Sequence, residues 1–371
     1  MSSSQGQEPD FEIRASTAAV PAAQRAQMLA DPGFGRVFTD HMATIRWEAG
    51  RGWHDARIEP YGPITLDPAA AVFHYGQEIF EGLKAYTQAD GSVATFRPQA
   101  NAARFNRSAT RLAMPELPES LFVRAIELLV ARDRAWVPTA AGHSLYLRPF
   151  MIATQTGLGV SKPSMEYLFT LIASPVSGYF GGEVRPVTVW LSEDYSRAAP
   201  GGTGEAKCGG NYAAAFAGQQ QALDHGCDQV VWLDAVERRW VEEMGGMNLF
   251  LVYGAGADAR IVTPAATGSL LHGLTRDSLL KLGPDLGIPA VEDRISVAEW
   301  QRGCASGEIT EAFACGTAAV ITPVGGVRGA GAEWTVGDGS SGPVTARLRD
   351  ELVGIQNGSR PDRYGWMHPL A

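Results

Sequence analysis

GGTGEAKCGGNYAAAF, Gly201 to Phe216, sets one lysine, Lys207, among small residues that can neither shield it nor pair with it. Of the 31 basic residues only Lys84, Lys162, Lys207 and Lys281 are lysines, so arginine carries the ordinary surface charge and each lysine asks for a reason. A lysine packed among glycines would lose hydration. Burial favours the neutral amine, the form a Schiff-base nucleophile needs. Taken alone, Lys207 is more simply a surface lysine in a flexible loop. Its surroundings shift that reading. Tyr212 follows five positions on, and VEEMGGMNLF (Val241–Phe250) places two acids beside glycines ahead of a strand. An amine for an aldehyde, a donor for a ring oxygen and a carboxylate for a ring nitrogen form the set that pyridoxal 5′-phosphate requires.

Outward from this stretch, SGYFGGEVRP (Ser177–Pro186) concentrates glycine and ends in proline, the composition of a linker. The expected division is a flexible N-terminal arm over 1–31, a small N-terminal domain over 32–176, the linker over 177–186 and a large C-terminal domain over 187–371 that binds the cofactor. On the N-terminal side, Thr44 to about Pro98 reads as short strands and turns, with a strand in SVATFRP (Ser92–Pro98). NAARFNRSATRLAM (Asn101–Met114) and PESLFVRAIELLVARDRAW (Pro118–Trp136) have helical apolar spacing, the second placing Leu121, Ala125, Leu128 and Leu129 on one face. HSLYLRPFMIAT (His143–Thr154) and MEYLFTLIASPV (Met165–Val176) read as buried strands. On the C-terminal side, VTVWLS, QVVWLDA, RWVEEM and NLFLVYG read as strands, the last three joined as hairpins, while Leu274–Gly287, Ser296–Ser306 and Pro343–Gly358 read as helices. No regular βαβ repeat is visible, so the fold class is α+β.

Composition narrows the function. At 371 residues two domains are expected, and 45% hydrophobic with 19% charged residues is the balance of a soluble globular protein. A net charge of −9 without a basic tract argues against a nucleic-acid surface. Cys208, Cys227, Cys304 and Cys315 show no CxxC spacing, as expected of reduced thiols in the cytoplasm. The seven histidines form no HExxH, so no metal is expected. The first thirty residues lack the apolar core of a secretory signal, and no stretch approaches the roughly 20 apolar residues of a membrane span.

Eight segments together resemble a known family. FTDHM, FHYGQEIFEGLKAY, FRPQANAARFNRSATRLAMP, LYLRPF, GGTGEAKCGGNYAAAF, EEMGGMNLF, GLTRD and EAFACGTAAVITPV stand in the order and approximate spacing of the branched-chain amino acid aminotransferases. The resemblance runs from about Phe34 to the C-terminus. It implies a two-domain pyridoxal-phosphate enzyme of fold type IV, with a smaller N-terminal α/β domain and a larger C-terminal pseudo-barrel domain. It further implies a homodimer that transfers the amino group of leucine, isoleucine or valine to 2-oxoglutarate, reversibly and with ping-pong kinetics.

By the same resemblance Lys207 carries the cofactor and moves the Cα proton, Glu243 partners the ring nitrogen, and Tyr212 donates to the ring oxygen. Glu242 is the local competitor of Glu243, and neighbours on a strand face opposite ways. Arg104 resembles the phosphate arginine, with Arg107 and Arg111 as competitors along the same helix. Leu274 and Thr275 stand at a helix start, where free amides favour an anion, although Thr275 alone reads as an N-cap. Thr317 adds a hydroxyl. For the substrate, the turn at Thr317 and Ala318 would offer amides to the α-carboxylate, and Arg148 would receive the second carboxylate of glutamate. The apolar wall would be Phe34, Tyr75, Phe80, Tyr146 and Tyr179, with Leu158 and Val160 from the neighbouring subunit. Some members carry a redox-active CxxC after GTA, where this chain has Ala319 and Thr322. A D-amino acid aminotransferase or an aminodeoxychorismate lyase shares the fold and cofactor. A scaffold without catalysis would be expected to have lost Lys207, Glu243 or Arg104.

Overall fold

The computed structural model describes residues 8–177 and 184–370. The chain divides into two compact units, Met1–Gly181 with Gln356–Ala371, and Gly182–Ile355. The last residues therefore join the first unit and make it the longer one, unlike the expected small N-terminal and large C-terminal domains. The cause is a strand at Met367–Leu370, which pairs antiparallel with Val93–Phe96. Residues 178–183 of the expected linker lie outside the described residues.

In the first unit the strands are β1 (Glu12–Ile13), β2 (His41–Glu48), β3 (Gly52–Pro60), β4 (Glu78–Phe80), β5 (Leu83–Thr87), β6 (Val93–Phe96), β7 (Ser144–Ala153) and β8 (Glu166–Val176). They form one sheet in the order β1-β3-β2-β8-β7-β5-β6 and then the C-terminal strand, with β4 also on β7. The expected arm is structured from residue 12: β1 pairs parallel with β3, and α1 spans Ala22–Ala30. After the short α2 (Ala71–Tyr75), α3 (Pro98–Arg111) and α4 (Glu119–Arg132) occupy the two expected helical stretches. Leu121, Ala125 and Leu129 are buried as their spacing requires, together with Phe122 and Ile126, whereas Leu128 of the expected face is only half-buried. Phe105 of α3, Phe122 of α4 and Phe169 of β8 form one aromatic cluster, with ring centroids 5.5 to 6.1 Å apart.

The second unit holds β9 (Val187–Ser192), β10 (Gln229–Leu233), β11 (Val241–Met244), β12 (Met247–Tyr253), β13 (Arg260–Pro264), β14 (Ala290–Asp293), β15 (Ile309–Gly316), β16 (Val320–Gly329) and β17 (Ala332–Thr335). The pairings run β11-β10-β9-β16-β15-β12, and β12 pairs back onto β11, so six strands close into a ring. Closure removes their free edges. Three parallel pairs interrupt the antiparallel pattern: β9 with both β10 and β16, and β13 with β14. β9 reaches β10 through α5 (Gly209–Asp224), and β13 reaches β14 through α6 (Leu274–Asp285). These are two βαβ connections that the sequence pattern did not reveal. α7 (Val297–Ser306) starts with a capping box between Ser296 and Glu299, and α8 spans Pro343–Gln356.

Candidate active site

Lys207 lies in the connection from β9 to α5, two residues before the helix begins. Asn211, in the first turn, holds that connection in shape. Its Nδ2 donates to the carbonyls of Thr203 and Ala206 at 2.8 Å each, and its Oδ1 accepts from the Thr203 hydroxyl at 2.7 Å. Gly204 sits so close to the Ser269 carbonyl that a Cβ would lie 2.2 Å from its oxygen. The glycines therefore let the loop press against the segment ahead of α6. Lys207, half-buried, places its Nζ 3.0 Å from the Tyr212 Oη.

The two acids of β11 separate as strand alternation requires. Glu243 Oε1 accepts from the Leu271 amide at 2.6 Å, and its Oε2 lies 3.1 Å from Arg197 Nη2. Asn248, directly opposite on β12, donates to Glu243 at 3.4 Å and to the Leu271 carbonyl at 2.9 Å. Glu242 is engaged elsewhere, by the hydroxyls of Ser269 and Thr267. Burial pushes the Glu243 carboxyl up, while Arg197, the Leu271 amide and Lys207 pull it down. Arg197 also donates to the Ser269 carbonyl at 2.6 Å, tying acid, loop and helix entry together. Neither Arg197 nor Asn211 was singled out from the sequence. Their signal was their closeness to the lysine motif.

At the start of α6 the N-cap is Gly273, with no side-chain cap, so Thr275 is a buried second residue of the helix and not the N-cap. Thr317 and Ala318 form the turn between β15 and β16, both half-buried. Cys315, just before it, is buried and free, and burial pushes its thiol up. Among the described residues no group of three or more His, Cys, Asp or Glu could hold a metal ion.

The first unit gathers the remaining candidates. Arg104 is buried and held by Glu81 through Nε at 2.6 Å and Nη2 at 2.8 Å, whereas Arg107 and Arg111 are exposed. Tyr146 and Arg148 are alternate residues of β7. Arg148 Nη2 donates to Tyr146 Oη at 2.9 Å, and its guanidinium lies 4.8 Å from the Phe80 ring centre and 5.3 Å from that of Tyr146. Phe34 meets Tyr146 edge-on at 5.2 Å. No acidic side chain pairs with Arg148 among the described residues, and its Nε is buried without a hydrogen-bond partner. Tyr75 stands with Leu158 instead, donating to its carbonyl at 2.5 Å. Leu158 and Val160 are 64% and 73% exposed. Tyr179 lies outside the described residues.

A family model described as amino-transferase class IV matches residues 78–327. The chain belongs to the class IV aminotransferases. Among these it is 59% identical to the branched-chain-amino-acid aminotransferase of Mycolicibacterium smegmatis, over 97% of this chain and 98% of that one. It is 48% identical to branched-chain-amino-acid transaminase 1 of Bacillus subtilis, over 90% and 93% of the two chains. The class IV fold recurs in the solved branched-chain amino acid aminotransferase of Escherichia coli, with a TM-score of 0.69, 29% identity, and 88% and 98% of the two chains covered. It recurs equally in another solved branched-chain amino acid aminotransferase, one with pyridoxamine 5′-phosphate, at a TM-score of 0.70 and 29% identity over 88% and 98%. The aminotransferase's second unit fits such a cofactor chemically: it offers an amine beside a phenol, a buried carboxylate and a helix start without a side-chain cap.

Proposed function

We propose that the enzyme transfers the amino group of L-leucine, L-isoleucine or L-valine to 2-oxoglutarate, reversibly and by a ping-pong route, giving branched-chain 2-oxo acids and L-glutamate. The observation that carries this reading is the Lys207 amine 3.0 Å from the Tyr212 hydroxyl, in a unit that also buries Glu243 against Arg197. The names of the relatives support the same substrates.

Bound pyridoxal phosphate supplies an aldehyde that captures amines and a ring that accepts the electrons of a Cα carbanion. Lys207 would hold it through Nζ until the substrate's amine takes that place, and the freed Nζ would then take and return the substrate's Cα proton. Glu243, with its charge supported by Arg197, keeps the ring nitrogen protonated, and Tyr212 donates to the ring oxygen. The amides at Leu274 and Thr275 and the Thr317 hydroxyl suit the phosphate. Arg104, fixed in direction by Glu81, has the charge and fork geometry to do the same. Thr317 and Ala318 bind the α-carboxylate.

Phe34, Phe80 and Tyr146 form the apolar wall, with Tyr75 and Tyr179 also assigned to it, and Arg148 receives the distal carboxylate of glutamate. That no acidic side chain pairs with it among the described residues supports that role, since a half-buried cation gains most from an anion that arrives with the substrate. The active molecule is a homodimer in which the exposed Leu158 and Val160 complete the neighbour's wall. Four free cysteines are consistent with a place in the cytoplasm. Among the described residues no helix is long and apolar enough to cross a membrane.

Initial rates measured with L-leucine and 2-oxoglutarate both varied test the route. Parallel double-reciprocal lines are expected, with D-leucine inert. Intersecting lines, or turnover of D-amino acids alone, would contradict the reading.

A further inference from the structure

Phe80, Glu81 and Gly82 are consecutive, and each meets a different functional side chain. Phe80 lies under the Arg148 guanidinium, Glu81 grips Arg104, and Gly82 lies against the Tyr146 phenol. A Cβ on Gly82 would stand 2.1 Å from Tyr146 Oη and 2.9 Å from its Cζ. The φ of Gly82 is outside the left-handed region, so the backbone does not demand glycine there. The demand comes from the phenol, which occupies the space a side chain would need. That same hydroxyl takes the hydrogen bond from Arg148 Nη2.

We propose that Gly82 is a positioning residue for substrate selection: the space it leaves lets Tyr146 fix Arg148 where the distal carboxylate of a dicarboxylic substrate is received. The inference rests on the assignment of Arg148 above. An added methyl must drive the phenol away by about 1 Å to reach ordinary contact, which breaks or tilts a directional hydrogen bond. An aliphatic substrate makes no such demand, because apolar contact is non-directional. Gly82 thus favours dicarboxylates without touching them. A role in packing alone would weaken both substrate classes alike.

The test uses the holoenzyme and two unreactive acids, glutarate and 4-methylpentanoate, with dissociation constants read from the visible band of the cofactor. Gly82→Ala is expected to weaken glutarate about 10- to 100-fold, the range for losing one charge-assisted contact, and to change 4-methylpentanoate less than about threefold. The KM for 2-oxoglutarate rises correspondingly, while the L-leucine half-reaction changes by less than about threefold. In a Tyr146→Phe background the same alanine is expected to add less than about threefold to the loss of glutarate affinity, because the Tyr146–Arg148 hydrogen bond that the displacement would break is already absent. The double variant also remains informative if Gly82→Ala alone does not fold. Equal weakening of both acids, unchanged glutarate affinity in Gly82→Ala, or a full further loss in the Tyr146→Phe background would overturn the proposal. Arg148→Gln with unchanged glutarate affinity would remove the assignment of Arg148 itself, and the proposal with it.

Discussion

Arg197 Nη2 stands 3.1 Å from Glu243 Oε2, with both side chains less than a tenth exposed. Burial alone would favour a neutral carboxyl, so the charge of Glu243 depends on this arginine. Arg197→Met is expected to lower kcat about 10- to 100-fold, because the buried carboxyl loses the charge that favours its ionised form. The variant's activity should also rise with pH where the parent's is flat, because its carboxyl must first lose a proton. A pH profile of kcat for both proteins checks this; superimposable profiles would show that Arg197 does not govern Glu243.

Asn211→Ala removes three hydrogen bonds that shape the loop before Lys207. At about 1 kcal/mol each, their loss leaves the lysine poorly aimed. The expected outcome is slower uptake of the cofactor by the cofactor-free enzyme and a kcat reduced by about tenfold or more, measured by stopped-flow absorbance and steady-state rates.

Glu81→Ala leaves Arg104 buried without its carboxylate. Breaking a buried pair on one side costs about 3–5 kcal/mol. A clear fall in the unfolding temperature of the cofactor-free protein is expected, and calorimetry reads it.

Lys84 lies on β5 directly opposite Tyr146, and burial lowers its pKa to about 8 from 10.5. Between these values the unfolded chain binds the proton that the folded chain has released, so folding becomes more favourable as pH rises. Below about 8 the cost of burying the charge is fully present, of order 3 kcal/mol. Lys84→Met should therefore gain most in stability over the parent at pH 7, and the gain should shrink as pH rises toward 10.5. Denaturant unfolding at pH 7 and 9.5 measures the difference.

How much of this the sequence disclosed depends on the kind of signal. β7 and β8 fall within the expected stretches because long branched and aromatic runs have few alternatives. α3 and α4 were legible from apolar spacing. α5 was not, since it buries only Asn211, Gly218 and Ala222 and leaves Phe216 and Leu223 exposed, so no apolar stripe marks it. α1, with no buried residue, gave equally little to read. The Lys207 motif carries Tyr212, whose hydroxyl stands 3.0 Å from Nζ, whereas Glu243 lies in a separate motif and in the sequence is preferred to Glu242 only through the family resemblance. The pairing of Arg197 with Glu243 and that of Arg148 with Tyr146 depend on which segments meet in space, and no local pattern encodes that. The C-terminal strand is a long-range pairing of the same kind.

The visible absorption spectrum of the holoenzyme, recorded before and after adding L-leucine without an oxo acid and beside a Lys207→Ala control, tests the central claim most directly. The account predicts a visible band that L-leucine converts to the pyridoxamine form in the parent and leaves unconverted in the control. A parent band that only a D-amino acid changes, or a Lys207→Ala protein that converts as fast as the parent, would contradict it.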